Sequence, residues 1–510
     1  MTNNTNISNV NSVDSLENIQ NFSGKYPKQL WALFFSEMWE RFCFYGMRGM
    51  LAYFMTYQLG FEEKSSNLQY GAIQAFVYAF TFIGGMLADK ILGFRRSLVW
   101  GGLLMILGSV ILAIDPHQFF FLGITFNIIG TGFFKPNISS MVGQLYKEND
   151  SRRDAGFLLF YSGINIGAMI GGYIIAIGKG AVFTSFIPED LRWNVAFAAS
   201  GVAMSISLIS FLLTKKNLGP IGLSPLKDLK DTKRSILEYT VYVLALAIVP
   251  VVMLMVANTR YTDYFMYTIG PLSLLFLVYE MRNFSAVENK KLIAAFLFII
   301  FSIVFWSIFE QAGGSLSLFA GSNISSNLLG MTADPNGINN SINSFFVILF
   351  APLIGLFFIF LAKKKIEPSS TLKFGIGFIL LGLAFFAFYS IRFSADENGV
   401  GSLNILAFSY LIVSIGELFL SPIGLSLMTK LSPQKMQGFM MGMWFLASAY
   451  GQYVAGLFGA SISPENNMSN SEKMTIYTQG YYDFAWYAIV AGLILIALYP
   501  LLKKLMHGVK

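Results

Sequence analysis

The sequence predicts an all-α membrane protein with many spans, and three observations carry that prediction. Of its 510 residues 55% are hydrophobic and only 12% charged, about half the charged share of a soluble domain. Such a chain cannot clothe its surface in polar groups, so lipid is the expected solvent. Apolar runs long enough for a helical span recur along the whole chain. The basic residues fall almost entirely on one side of those runs, the positive-inside asymmetry.

About 20 apolar residues cross the hydrocarbon core as a helix. The runs that qualify are 29–57, 69–92, 97–114, 117–146, 154–178 and 193–214, then 236–257 and 261–281, then 292–320, 341–362, 374–393, 402–430, 435–461 and 480–502. That makes 14 transmembrane helices. With the N-terminus in the cytoplasm, the outer loops hold only Lys64, Lys179, Arg192, Arg260, Arg392 and Lys473 of the 35 Lys and Arg. Both termini are therefore expected in the cytoplasm and the chain in the cell inner (plasma) membrane. The same asymmetry accounts for the formal net charge of +7 without any nucleic acid. Residues 1–23 are polar, with no basic stretch leading into an apolar one, and are expected to be a disordered tail rather than a cleaved signal. One cysteine, Cys43, rules out an internal disulfide. The two histidines, His117 and His507, sit at a loop edge and near the C-terminus, so no metal site is expected.

A weak internal repeat organises the spans. Phe76–Gly84 resembles Phe346–Gly355 with a one-residue shift. The stretch from Pro136 through Gly156 to Gly171 resembles Pro422 through Gly438 to Gly456. Two parallel six-helix bundles with a site between them at mid-membrane are the major facilitator fold. The expected domains are 24–216 and 289–510, with a linker at 217–288 that carries two extra spans. That inserted pair has few polar groups and is expected to lie in lipid, away from the transport path.

The charges inside the spans point to function, since each costs about 2.5–3.5 kcal/mol at a helix centre and must face protein or water. Glu37, Glu40, Arg41, Tyr45 and Arg48 share one face of the first helix. Lys135 lies in the fourth span, Glu310 in the ninth and Glu417 in the twelfth. The N-terminal bundle thus supplies three cations, and the C-terminal bundle two lone carboxylates. A cavity with one positive and one negative wall suits a zwitterion such as a short peptide. Glu310 facing Arg48 would form a bridge that a proton opens, because a nearby cation favours the ionised acid and desolvation opposes it. With no histidine in a span, carboxylates are the proton carriers.

These residues resemble the proton-dependent oligopeptide transporter family. Its ExxER motif is Glu37-Met38-Trp39-Glu40-Arg41. Further matches are Gly84–Gly93, Gly132–Asn137, Phe160–Gly167, Phe305–Gln311 and Gly416–Pro422, in family order. The resemblance implies proton-coupled symport of di- and tripeptides by alternating access, with no cofactor beyond the proton as coupling ion, no enzyme activity and a monomer as the working unit. It implies proton coupling at Glu37, Glu40, Arg41, Lys135 and Glu310. It implies peptide binding by Arg41, Tyr45, Arg48, Tyr78, Lys135, Asn165, Trp306, Glu310, Asn343, Glu417, Ser421 and Trp444. Arg48 and Glu310 would gate the cavity, and Asp89 would hold a gate with the nearby basic loop. The sequence departs from the family at Phe44, where a tyrosine is usual, so one hydroxyl is lost.

Other readings make different demands. A nitrate carrier would need the cations without Glu417, and a drug exporter a more apolar cavity. A membrane-embedded enzyme would need a nucleophile–base pair, a metal cluster or a phosphate loop, and neither GxxxxGK[ST] nor HExxH is present. A peptide sensor that moves nothing would share the same site.

Overall fold

The computed structural model describes residues 16–147, 150, 152–226, 229–420 and 424–509. The N-terminal helices are α1 (Leu16–Gln20), α2 (Lys28–Tyr57), α3 (Glu63–Leu87), α4 (Phe94–Ile114), α5 (Phe120–Gln144), α6 (Arg153–Gly172), α7 (Ile175–Gly178) and α8 (Arg192–Thr214). A middle group follows: α9 (Asp231–Ala247), α10 (Val249–Ala257) and α11 (Thr259–Glu280). The C-terminal helices are α12 (Ala286–Phe309), α13 (Ser315–Asn323), α14 (Pro335–Lys363), α15 (Ser370–Ser390), α16 (Leu403–Leu420), α17 (Gly424–Leu431), α18 (Gln437–Ser461), α19 (Asn470–Ala497) and α20 (Tyr499–Leu505). The only strands among the described residues are β1 (Asn327–Leu328) and β2 (Met331–Thr332), a two-residue hairpin turned by Gly330 at φ 87°.

Eleven helical segments among the described residues are long and apolar enough to cross a membrane. Helices α2, α5 and α18 are not in that set, although they have 30, 25 and 25 residues. In α2 and α5 the interrupting side chains are the charged and amide groups singled out above, Glu37, Glu40, Arg41, Arg48, Lys135 and Asn137. A helix that lines a polar interior loses hydropathy because of what it lines.

Local chemistry sets the ends. Ser285 with Glu288 and Ser469 with Glu472 form capping boxes that open α12 and α19. Asp334 caps α14 by accepting the Gly337 N–H at 2.8 Å. Gly93, at φ 77°, lets the chain reverse between α3 and α4. Pro136 withholds the N–H that would bond the Gly132 carbonyl inside α5, and at that level α3 crosses at Gly84. A Cβ on Gly84 would collide with the Gly132 carbonyl oxygen. Gly84→Ala is therefore expected to destabilise the detergent-solubilised protein by about 1–3 kcal/mol. Thermal unfolding reads this directly, and a wild-type melting temperature would contradict so close a crossing.

Helix α2 packs on α6 and α8, α4 on α5 and α8, and α3 on α5. In the C-terminal part α12 packs on α18, α14 on α16, and α15 on α16 and α19. The most extensive crossings between the groups are α3 with α18 and α6 with α14, and α2 also meets α13. Glycines permit the first two approaches. A Cβ on Gly71 would lie 2.7 Å from the Gly456 Cα, and one on Gly172 2.6 Å from the Asn340 oxygen.

Three expectations need correction. The tail is ordered from Leu16: Ile19 is buried, the Gln20 amide donates to the Gln144 carbonyl at 3.0 Å, and Arg152 donates to the Phe22 carbonyl at 3.0 Å. Arg152 also bonds Asp150, and those hydrogen bonds hold the Asp150 carboxyl down at about 2. Second, the expected span 292–320 is broken. Helix α12 stops at Phe309, a 3-10 turn covers Glu310–Gly313, and α13 restarts at Ser315. Hydropathy runs through this break because its two polar residues, Glu310 and Gln311, are flanked by long apolar stretches and by Ala312-Gly313-Gly314. Third, the inserted helices are not polar-poor bystanders. Glu238 pairs with Arg234 at 3.0 Å and with Arg96 at the start of α4. The Gln69 amide of α3 donates to the Ala257 carbonyl at 3.1 Å, and the Tyr453 hydroxyl of α18 donates to Asp263 at 2.6 Å. The pair touches helices on both sides of the chain while exposing Val243, Leu244, Leu275 and Val278 outward.

Candidate functional site

Helix α2 brings two separate charge clusters. Toward its start, Arg41 donates to Glu40 at 2.5 Å and 2.7 Å and lies 3.3 Å from Glu37. All three are buried, and Glu37 Oε2 has no hydrogen-bond partner among the described residues. Two turns on, Arg48 pairs with Glu310 across the two helical groups, and its Nε donates to the Tyr70 hydroxyl at 2.7 Å. Glu310 occupies the first residue of the 3-10 break: its N–H still donates to the Trp306 carbonyl as the last rung of α12, and the regular ladder ends there.

Lys135 lies on α5 with its ammonium 4.4 Å from the Tyr78 ring centre and 6.0 Å from that of Phe44. It has no ion pair among the described residues. Such a cation, held by aromatic faces alone, remains available to an anion. On α16, Glu417 accepts from the Asn343 amide at 3.2 Å, and the same amide donates to Ser414 at 2.9 Å. No cation lies within 4.0 Å of Glu417 among the described residues. Asn343, which holds Glu417, lines the same chamber as Arg48, which holds Glu310.

A cavity of about 50 Å³ opens beside them, lined by Tyr45, Arg48, Asn339, Asn340, Asn343 and Tyr410 among others. A smaller one of about 10 Å³ lies on the other side of Arg48, between Phe44, Gln74, Asn127 and Thr131. Arg48 thus stands between a polar chamber shared by the two groups and a pocket inside the N-terminal one.

Polar ties close one end of this region. Lys473 donates to the buried Glu63 at 2.7 Å, and the Tyr477 hydroxyl donates to the same carboxylate. Lys179 pairs with Asp334 at 2.8 Å and donates to Asn336 at 2.6 Å. Asn67 donates to Ser463 at 3.0 Å. Each tie joins an N-terminal to a C-terminal helix, at the end expected to face outward. Among the described residues no ion pair joins the two groups at the other end. Lys473→Met would leave the Glu63 carboxylate buried without its cation. An expected loss of about 3–5 kcal/mol follows, read as a lowered melting temperature in detergent. An unchanged melting temperature would contradict the tie.

The sequence model of the POT family matches residues 95–474. The chain belongs to the POT family. A peptide transporter of Yersinia enterocolitica is 34% identical over 469 residues, covering 86% of this chain and 89% of that protein. Dipeptide and tripeptide permease A of Serratia proteamaculans is 30% identical over 487 residues, covering 94% and 92%. A solved POT peptide transporter in complex with alafosfalin superposes with a TM-score of 0.81 at 31% identity, covering 97% of this chain and 100% of that one. The family is one of transporters, so the chain is a multi-pass membrane protein and not an enzyme.

Against this POT background the expected residues divide. Tyr45, Arg48 and Asn343 line the chamber; Glu310 is held by Arg48 and Glu417 by Asn343, and Lys135 packs on Tyr78 and Phe44. Glu37, Glu40 and Arg41 form their own buried cluster. Asn165 is buried and donates to the Tyr161 carbonyl of its own helix at 2.9 Å. Trp306 stands edge-on to Phe309 at 5.1 Å, and Trp444 is buried against Gly424. Asp89 is exposed just past α3, has no ion pair among the described residues, and is not joined to Arg48 or Glu310. Ser421 lies outside the described residues.

Sequence reading missed Tyr70, Asn339, Asn340 and Tyr410. Two signals were available. Tyr70, Gln74 and Tyr78 recur every four residues on one face of α3. Asn336, Asn339, Asn340 and Asn343 follow the i, i+3, i+4, i+7 pattern on α14. An amide stripe in an apolar helix marks a polar wall as surely as a charge does.

Proposed function

We propose that the chain is a symporter that imports di- and tripeptides together with protons by alternating access. The Arg48–Glu310 pair carries this reading: one cation and one carboxylate, from different helical groups, meeting at a chamber. Protonation of Glu310 frees Arg48, which then takes the peptide carboxylate with Arg41 and Lys135. Glu417 and Asn343 hold the peptide ammonium and backbone at the opposite wall, and Asn165 and Ser421 join them in binding the peptide. Tyr45, Tyr78, Trp306 and Trp444 surround the side chains. Glu37 and Glu40 pass protons with Arg41 and Lys135, and Asp89 gates the cytoplasmic side.

The moving bodies are 24–216 and 289–510. Support comes from the apolar cores: one cluster draws almost wholly on residues 277–506, two draw on residues 19–256, and only a small fourth one, Ala75, Met266, Ala449 and Tyr453, joins the groups among the described residues. The ties at one end mark an inward-facing arrangement. The chain spans the inner membrane with 14 helices in the major facilitator arrangement, keeps both termini in the cytoplasm and works as a monomer. Each proton entering gains about 2.3 kcal/mol per 100 mV of membrane potential, enough to concentrate a neutral zwitterion.

Purified protein in liposomes tests this. Labelled dialanine is expected to accumulate when the outside is acidified and to stop when an uncoupler is added. Uptake indifferent to the proton gradient, or displaced by nitrate rather than by dipeptide, would reject the reading.

A further inference from the structure

The 3-10 turn that carries Glu310 is fastened from behind by side chains of two other helices. The Tyr410 hydroxyl of α16 donates to Asn339 Oδ1 at 2.7 Å. The Asn339 amide of α14 in turn donates to the Ala312 carbonyl at 2.7 Å. Tyr410 is 2% exposed and Asn339 1%, so neither can exchange its partner for bulk water. Ala312 is two residues from Glu310, inside the same single turn. Tyr410, Asn339 and Ala312 line the chamber together with Arg48.

From this geometry we propose that Tyr410 and Asn339 are positioning residues that hold the Glu310 turn in register with Arg48. The inference rests on the reading of Glu310 as the proton site. Glu310 is tied to α12 only through its N–H to the Trp306 carbonyl, and beyond it the regular ladder stops, so a turn held by nothing more would follow Arg48 as α2 moves. The chain from Tyr410 through Asn339 to Ala312 lies wholly among C-terminal helices. It therefore persists when Arg48 lets go, and Glu310 returns to one place in every cycle. Loss of the Asn339 side chain removes both links, and loss of the Tyr410 hydroxyl strands the buried Asn339 Oδ1 and leaves the amide that holds Ala312 without its own anchor.

The groups that act on Glu310 are Arg48 and Tyr45 from α2, Tyr70 and Tyr78 from α3, Lys135 from α5, and Tyr410 and Glu417 from α16. Arg48 is the one cation in direct contact. A turn that drifts from Arg48 loses that contact, and the state of Glu310 then no longer decides whether Arg48 is released.

Tyr410→Phe and Asn339→Ala, each in liposomes, test the proposal beside Glu310→Gln. Each variant is expected to lose about tenfold more in gradient-driven accumulation than it loses in peptide exchange. The pH profile of their uptake should depart from that of the wild type. The double variant should lose no more than the more affected single one, because both open one chain. A wild-type pH profile and wild-type ratio of accumulation to exchange, with only a lowered melting temperature, would overturn the positioning role. If Asn339→Ala does not fold, Tyr410→Phe alone decides on the same readouts. If Glu310→Gln has lost the drive while these variants keep it, only the positioning role falls. If Glu310→Gln keeps the drive, the proton role falls and takes the positioning role with it.

Discussion

Glu310→Gln is expected to reduce gradient-driven peptide accumulation from about tenfold per pH unit to about onefold, while exchange of peptide across the membrane continues. One pH unit on one proton is worth about 1.4 kcal/mol, which is one decade of concentration. The amide keeps the shape of the carboxylate but cannot be charged. Arg48 then loses its ionic partner permanently, and no proton is needed to release it. The carrier still binds and still rocks, because the Tyr70 hydroxyl bond to Arg48 remains, at 2.7 Å in the structure. Counterflow with equal peptide on both sides separates the two activities. Full accumulation by Glu310→Gln would remove Glu310 from coupling.

The second large effect concerns Glu417. Its carboxylate has an amide partner in Asn343 but no cation within 4.0 Å among the described residues. An acid so placed is an open site for an ammonium group. Glu417→Gln is expected to weaken competition by peptides with a free N-terminus by about 10- to 100-fold, the worth of a charge-assisted hydrogen bond. N-acetylated peptides, which never had that bond, should change by less than about twofold. Inhibition of labelled dialanine uptake by matched pairs of peptides gives both numbers. Equal losses for the two members of each pair would reject the ammonium role.

The two residues were legible in the sequence for one reason. A full charge inside an apolar run must have a purpose, and very few charges lie in such runs. Neutral polar residues announce themselves less clearly. Asn339 and Tyr410 read as ordinary helix content until their neighbours on the same face are counted. Glu63 and Lys473 were lost for another reason: the spans as read began after them, so they passed for solvated loop charges. In the structure α3 starts at Glu63 and α19 at Asn470, and both side chains are buried. The break after Phe309 was hidden because hydropathy records what a residue prefers, not where its carbonyl points. The Asn339 and Gln311 amides that satisfy the freed carbonyls come from side chains that no local window connects.

The expected helices were mostly legible because lipid leaves the backbone no alternative to satisfying its own hydrogen bonds. Long-range pairing was not. Nothing near Gly84 in the sequence says that Gly132 lies against it.

The closed end of the molecule is fastened by carboxylates, ammonium groups, hydroxyls and amides rather than by interlocked hydrocarbon. Such a seam parts like a zip: each half, once separated, is rehydrated at once and leaves no bare grease to pull the edges back. If that end faces outward, as proposed, entry from outside can be opened and shut many times with little net work, and dissolved salt becomes a handle on how long the door stays shut.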